Sequence, residues 1–220
     1  MKLYEIHRII SLIVLKPFKG FGLGKKFPFL WRIYDFIFRI FAPKKPFEIL
    51  FNGSKFYINP NEKTKYLRKA MQQYILEKEY EPETTKWVES IVKKGDTVLD
   101  IGASIGYFSM TLAKCVGESG MVLSFQPTKP GFDYLCRNKE INNYSQIKPF
   151  NLAAWDKNEL VRMPMSSFAT NTQWCNGVNI SDFLEKNYEI NKVDFIKMDI
   201  DGAEPWAVKG LIQIFKITLI

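Results

Sequence analysis

The apolar positions of this 220-residue chain change their period along its length. From Leu3 to Leu15 they are dense but broken by Glu5, His7 and Arg8, and the longest uninterrupted apolar run before Lys16 is Leu12 to Leu15. That run is far short of the roughly 20 residues a membrane span requires, and no small-residue cleavage site follows it. No transmembrane segment or leader is therefore expected. After the Gly-rich link from Lys19 to Lys25, Pro28 opens a second helix through Phe41, with Phe29, Ile33, Phe36, Ile37 and Ile40 near helical spacing. Phe47 to Ile58 reads as two short strands around Asn52-Gly53, a dipeptide that favours a tight hairpin turn. Residues 62–78 read as a helix, and Pro82 to Lys93 as another, with Gly95 just past its end.

Beyond that point strands and helices alternate. Strands are expected at Thr97–Ile101, Met121–Phe125, Ile147–Leu152 and Val193–Met198, and helices at Gly106–Val116, Pro130–Asn142, Ile180–Lys186 and Ala203–Phe215. Ile217 to Ile220 reads as the beginning of a further strand. Apolar strands in regular β/α alternation predict an α/β fold, a parallel sheet with helices on both faces. Three segments follow: a basic, aromatic-rich helical extension over 1–45, a hairpin and helices over 46–95, and a core over 96–220.

Charge separates the same segments. Residues 1–50 carry ten Lys or Arg against Glu5, Asp35 and Glu48, which is seven of the net +8, and the remaining 170 residues are nearly neutral. An excess confined to the head of the chain argues against a nucleic-acid partner. Two readings of that head stay open: helices packed on the core, or a basic amphipathic element in peripheral contact with an anionic membrane surface through residues 1–45. His7 is the sole histidine, and Cys115, Cys136 and Cys175 are odd in number and lack CxxC spacing. Neither a zinc cluster nor a disulfide framework can be assembled from them, and a reducing, cytoplasmic compartment is expected.

The chemistry concentrates in Val98-Leu-Asp-Ile-Gly-Ala-Ser-Ile-Gly106, a strand that enters a helix through a glycine turn. Gly102 and Gly106 let the backbone pass close to a ligand and aim amides at it. A dinucleotide fingerprint needs a second glycine where Ser104 stands, and the carboxylate of Asp100 would repel a pyrophosphate. Asp100 suits a cationic ligand instead. S-adenosylmethionine, with an ammonium, a sulfonium and no phosphate, meets that demand. The competing reading is an acid that caps its own loop amides.

The strings VLDIGASIGYFSM, LCRNKEINN, NLAAWD and VDFIKMDIDGAEPWAVKGL, in that order over about residues 47 to 220, resemble the FkbM family of class I S-adenosylmethionine-dependent methyltransferases. The resemblance implies a Rossmann-like sheet and O-methylation of a hydroxyl on a carbohydrate, glycolipid or similar small acceptor. It implies that Asp100, Gly102, Ala103, Ser104 and Gly106 cradle the methionine side of the cofactor. Gln126 would face the ribose, Asn151 to Ala154 (Ala153 among them) would border the adenine, and Glu81 would close the pocket from the other side. Asp199, Asp201 and Glu204 would face the methyl group and the acceptor, with Asp199 or Glu204 as the base. Glu204 in a first helical turn also reads as a cap, and Lys197 as the salt-bridge partner of a neighbouring acid.

Two departures shape the alternative. The family pattern has a glutamate where Gln126 stands, a change expected to weaken the cofactor by on the order of 1–2 kcal/mol. A class I sheet also continues past the point where this sequence stops, and the segment between Asp156 and Val178 is short. The alternative expectation is a truncated or degenerate, non-catalytic copy that serves as an interaction module.

Overall fold

The computed structural model describes residues 36, 43–76, 80–164, 172–188, 190 and 192–218. The two helices expected before residue 42 lie outside the described residues, Phe36 excepted. The chain divides into two units, residues 1–80 and 81–220.

In the first unit, β1 (Phe47–Phe51) and β2 (Ser54–Ile58) pair antiparallel, with Phe47 opposite Ile58 and Phe51 opposite Ser54. Asn52 and Gly53 both take positive φ, 46° and 72°, the backbone that a two-residue turn needs to match strand twist. Period-2 alternation puts Ile49, Phe51, Phe56 and Ile58 on one buried face. Helix α1 (Lys65–Leu76) covers that face, with Tyr74 stacked on Phe51 at 4.9 Å and edge-on to Phe56 at 5.3 Å.

The second unit begins with α2 (Pro82–Ile91), whose first turn holds Pro82 where its missing N–H costs nothing. Next come β3 (Thr97–Ile101), α3 (Tyr107–Val116), β4 (Met121–Phe125), α4 (Lys129–Asn142) and β5 (Ile147–Phe150). They are followed by β6 (Ala153–Trp155), β7 (Glu159–Pro164), β8 (Thr172–Asn179), α5 (Ile180–Tyr188), β9 (Phe195–Met198) and α6 (Glu204–Thr218). The expected parallel sheet is present, in the order β5-β4-β3-β9. Alternation sends Leu99, Ile101, Leu123 and Phe125 to one face, where they pack with Ile180 and Leu184 of α5 and Ala207, Leu211 and Ile214 of α6. Asp100 and Ser124 point to the opposite face, where α3 supplies Ser109.

Two features differ from the sequence reading. Residues 153–179 hold a second, three-stranded sheet in the order β6-β8-β7, with β8 parallel to β6 and antiparallel to β7. Its inward positions, Val161, Met163, Cys175 and Gly177, do alternate. The pattern is faint because Asn176 and Gly177 are poor strand formers and Leu160 and Trp174 project outward. Helix α6 runs on through Thr218, so Ile217 and Thr218 are helical where a new strand was expected. No Gly or Pro separates Phe215 from Ile217, and without a breaker the helix propagates into β-branched residues.

Helix α6 seats on β6 through Gly210. A Cβ there would lie 2.0 Å from the carbonyl oxygen of Trp155. The Gly210 carbonyl accepts a 2.8 Å hydrogen bond from the Ser181 hydroxyl, and the Trp155 and Trp206 rings stack at 5.1 Å. Because the clash is with backbone, it cannot be relieved by a rotamer change. Gly210→Ala is expected to cost about 2–4 kcal/mol in urea unfolding, whereas Val208→Ala, on the exposed side of the same helix, should stay within about 0.5 kcal/mol.

Candidate functional site

The strand order reverses at β3: the chain moves from β3 to β4 and β5 on one side, then returns to β9 on the other. A crevice outside the carboxyl ends of the strands at such a reversal is where ligands bind in open α/β sheets. The two strand ends are joined through bare backbone. Gly102 has φ +87°, and a Cβ on it would fall 2.0 Å from the carbonyl oxygen of Asp199. Ser104, where a dinucleotide loop would carry glycine, also takes positive φ, 52°, as does Asp201 at 56° in the turn after β9.

The loop amides are organised differently from the sequence reading. Gly102 and Ala103 N–H both donate to the Phe125 carbonyl, at 3.0 and 3.1 Å, and Gly106 N–H donates to the Ala103 carbonyl at 2.8 Å. Ser104 N–H donates to Gln126 Oε1 at 2.7 Å. These four amides are thus engaged within the protein and do not form a free anion cradle. Turn geometry forces this, because a chain leaving β3 so sharply brings its amides back over the end of β4.

Gln126 is 6% exposed and is held at both ends. Its carbonyl accepts from Ser104 and its Nε2 donates to Thr128 Oγ1 at 2.8 Å. Asn151 Nδ2 donates to the Gln126 and Pro127 carbonyls, at 2.9 Å each, which ties the end of β5 to the end of β4. An amide fits this place because it offers an acceptor on one side and a donor on the other. Proposed ribose contact for Gln126 therefore competes with bonds it already makes.

Behind the loop a polar row crosses the sheet. Parallel register sets Asp100 beside Ser124 on β4 and beside Lys197 on β9. The Ser124 hydroxyl donates to Ser109 Oγ at 2.9 Å, and the Ser109 hydroxyl donates to Asp100 Oδ2 at 2.6 Å. Asp100 is fully buried, and its Oδ1 has no hydrogen-bond partner. Burial pushes its carboxyl above the ordinary value, opposed by the Lys197 charge and the Ser109 hydrogen bond and reinforced by the Asp199 charge. Asp100 thus acts less as a cap on loop amides than as the acceptor of a serine relay. Ser109 was not singled out from sequence. The available signal was Ser124, a hydroxyl between Leu123 and Phe125 in an otherwise apolar strand.

The remaining predicted residues lie on β9, at the start of α2, in α6 and in β6. Lys197 Nζ lies 3.6 Å from Asp199 Oδ2, the ion pair expected for it. Glu81, in a left-handed conformation at the start of α2, shares an open groove of about 490 Å³ with Thr84, Trp87, Lys197, Met198 and Asp199. Glu204 turns back to accept the Ile200 N–H at 3.2 Å, a bond that braces the turn between β9 and α6. Ala153 lies in β6, packed with Ala203 and Ile200 of the turn after β9.

Residues 100–220 match the family described as Methyltransferase FkbM domain, and residues 51–140 match that described as Protein-L-isoaspartate(D-aspartate) O-methyltransferase (PCMT). No curated protein matches the chain. Among solved structures, a methyltransferase FkbM from Methylobacillus flagellatus KT is 17% identical, with 68% of this chain and 41% of that one covered and a TM-score of 0.40. M. jannaschii TYW2 in complex with AdoMet is 20% identical, covering 50% and 44% with a TM-score of 0.37. A protein-L-isoaspartate O-methyltransferase is 26% identical, covering 33% and 23% with a TM-score of 0.31. The chain spans less than half the length of each of these three proteins.

Asp100 gives the site a pH signature. Its folded-state pKa is raised, so the folded chain holds the proton more tightly than the unfolded chain does. The stability from that proton is fully present below the ordinary value of 3.8 and is lost as pH rises through the folded value. Asp100→Asn removes this titration. Urea midpoints should therefore show the variant gaining on the parent as pH rises above the ordinary carboxyl value of 3.8. A difference that stays flat or runs the other way would contradict the burial argument.

Proposed function

The chain belongs to the FkbM methyltransferase family, whose methyl donor is S-adenosylmethionine, and we propose that it methylates a hydroxyl of a carbohydrate, glycolipid or similar small acceptor. The observation that carries this reading is the convergence of Asp100, the 102–106 turn, Gln126 and Asp199 at the strand reversal of a chain in that family. The residues present fit the donor. An orphaned carboxylate oxygen on Asp100 and the carboxylates of Asp199 and Glu81 make an acidic surround that suits an ammonium and a sulfonium and disfavours a phosphate. In this reading residues 96–220 hold the donor, residues 46–95 lead into them, and residues 1–45 supply basic, aromatic contact with an anionic membrane surface. Among the described residues no helix is long and apolar enough to cross a membrane.

When bound, S-adenosylmethionine supplies a methyl group on a sulfonium leaving group, so placing the acceptor in line accounts for most of the catalysis. The protein's tasks are then positional. The paired turns after β3 and β9 fix the distance between donor and acceptor sides through the Gly102–Asp199 backbone contact. Gln126 holds the Ser104 turn closed. Asp199, with 62% of its side chain exposed, is the better placed base for the acceptor proton, because Glu204 is turned to its own helix start. The departure at Gln126 has a structural use, since both ends of its amide are hydrogen-bonded, to Ser104 and to Thr128.

Calorimetric titration with S-adenosylhomocysteine tests the donor site. Micromolar binding is expected, weakened roughly tenfold by Gln126→Ala, which leaves the Ser104 amide unpaired. No heat at millimolar ligand from the folded chain would overturn the reading. With labelled donor at saturating concentration and a panel of sugars and glycolipids, Asp199→Asn should lower methyl transfer about a hundredfold, beyond the loss of donor affinity expected from removing one carboxylate of the acidic surround.

A further inference from the structure

Lys197 is placed where a lysine is costly. Its side chain is 12% exposed, inside a parallel sheet, with Nζ 4.9 Å from the centroid of the buried Phe108 ring. A largely buried ammonium at the wall of the groove is stabilised by a compensating charge. Asp199, at 3.6 Å and mostly in solvent, is a loose and well-screened partner that does not account for the placement. Asp100 stands directly across the strand pair, with one oxygen on Ser109 and the other without a hydrogen bond. From every element packed on Asp100 the facing groups are Ser109 of α3, Ser124 of β4, and Lys197 and Asp199 of β9. Lys197 is the one cation among them.

We propose that Lys197 is a positioning residue. Its ammonium, between the inner carboxylate of Asp100 and the outer carboxylate of Asp199, keeps Asp100 ionised, and so maintains a negative charge behind the glycine turn for a cationic ligand. Three features of the geometry converge on this role. The cross-strand register gives Asp100 and Lys197 a shared face of the sheet. The serine relay satisfies only one carboxylate oxygen, so a charged Asp100 depends on a nearby cation. Asp199, at the groove, can exchange Lys197 for a ligand's ammonium without disturbing the inner pair, because it is the exposed member of the three. The ligand half of this inference rests on the proposed donor site; the charge half does not.

The test separates the two. In the unliganded wild-type chain, carbon-13 NMR should show the Lys197 ε-carbon and the Asp100 carboxyl following one titration. Lys197→Met should move the Asp100 midpoint to higher pH, and Lys197→Arg should return it. An Asp100 titration indifferent to Lys197→Met, or a Lys197 signal blind to it, would overturn the proposal. The wild-type measurement needs no variant to fold, and Lys197→Gln serves if Lys197→Met does not. For the ligand half, S-adenosylhomocysteine affinity in Lys197→Met should fall about tenfold at acidic pH and recover toward the parent value at alkaline pH. A uniform loss at all pH values would mean that Lys197 only supports the fold. Absence of binding in the parent chain would overturn the donor site while the titration still decides the charge role.

Discussion

A fully buried carboxylate at the centre of a parallel sheet is the constraint around which the larger unit is arranged. Asp100 needs a hydrogen-bond donor, a compensating cation and a backbone that leaves β3 at once. Ser109 on α3, relayed from Ser124, supplies the first; Lys197 on β9 supplies the second; Gly102 supplies the third. Each of these fixes one neighbouring element against β3. The helix that follows the turn, the strand on the near side and the strand on the far side are therefore positioned by the same residue that marks the site.

The strand ends show how little side chain is needed to join them. Between Gly102 and Asp199 the contact is backbone to backbone, closer than any Cβ allows. Around it, four amides of the 102–106 turn are satisfied within the protein, and Gln126 closes the ring from the end of β4. Such a turn is held in shape by the protein's own hydrogen bonds, and fixed geometry is what methyl transfer demands most. The family assignment and the strand-end geometry are thus consistent with each other.

Much of this was legible in the sequence, for identifiable reasons. The hairpin at Asn52-Gly53 and the alternating β/α core follow from turn chemistry and apolar period, and both are present. The Asp100 turn and its membership in the strand-end cluster follow from glycine placement and the motif series. What escaped were features decided by three-dimensional partners. The β7/β8 pair is written in Arg, Asn and Gly as much as in apolar residues, and only packing on β6 and Ala203 makes it a sheet. The uses of Ser109 and of the loop amides depend on which backbone folds over which, and spacing alone cannot give that. Gln126, a departure from the family pattern when read as a letter, becomes explicable once Ser104 and Thr128 are found at its two ends.

The central claim is that the reversal between β3 and β9 is the ligand site. Backbone amide shifts of the labelled chain during titration with S-adenosylhomocysteine test it most directly. The account predicts that perturbed residues cluster at 100–106, 124–128, 151–153 and 197–204, with the outward face of β7 and β8 silent. Shifts centred on Leu160 and Trp174 of that outward face, or spread evenly over the chain, would contradict it.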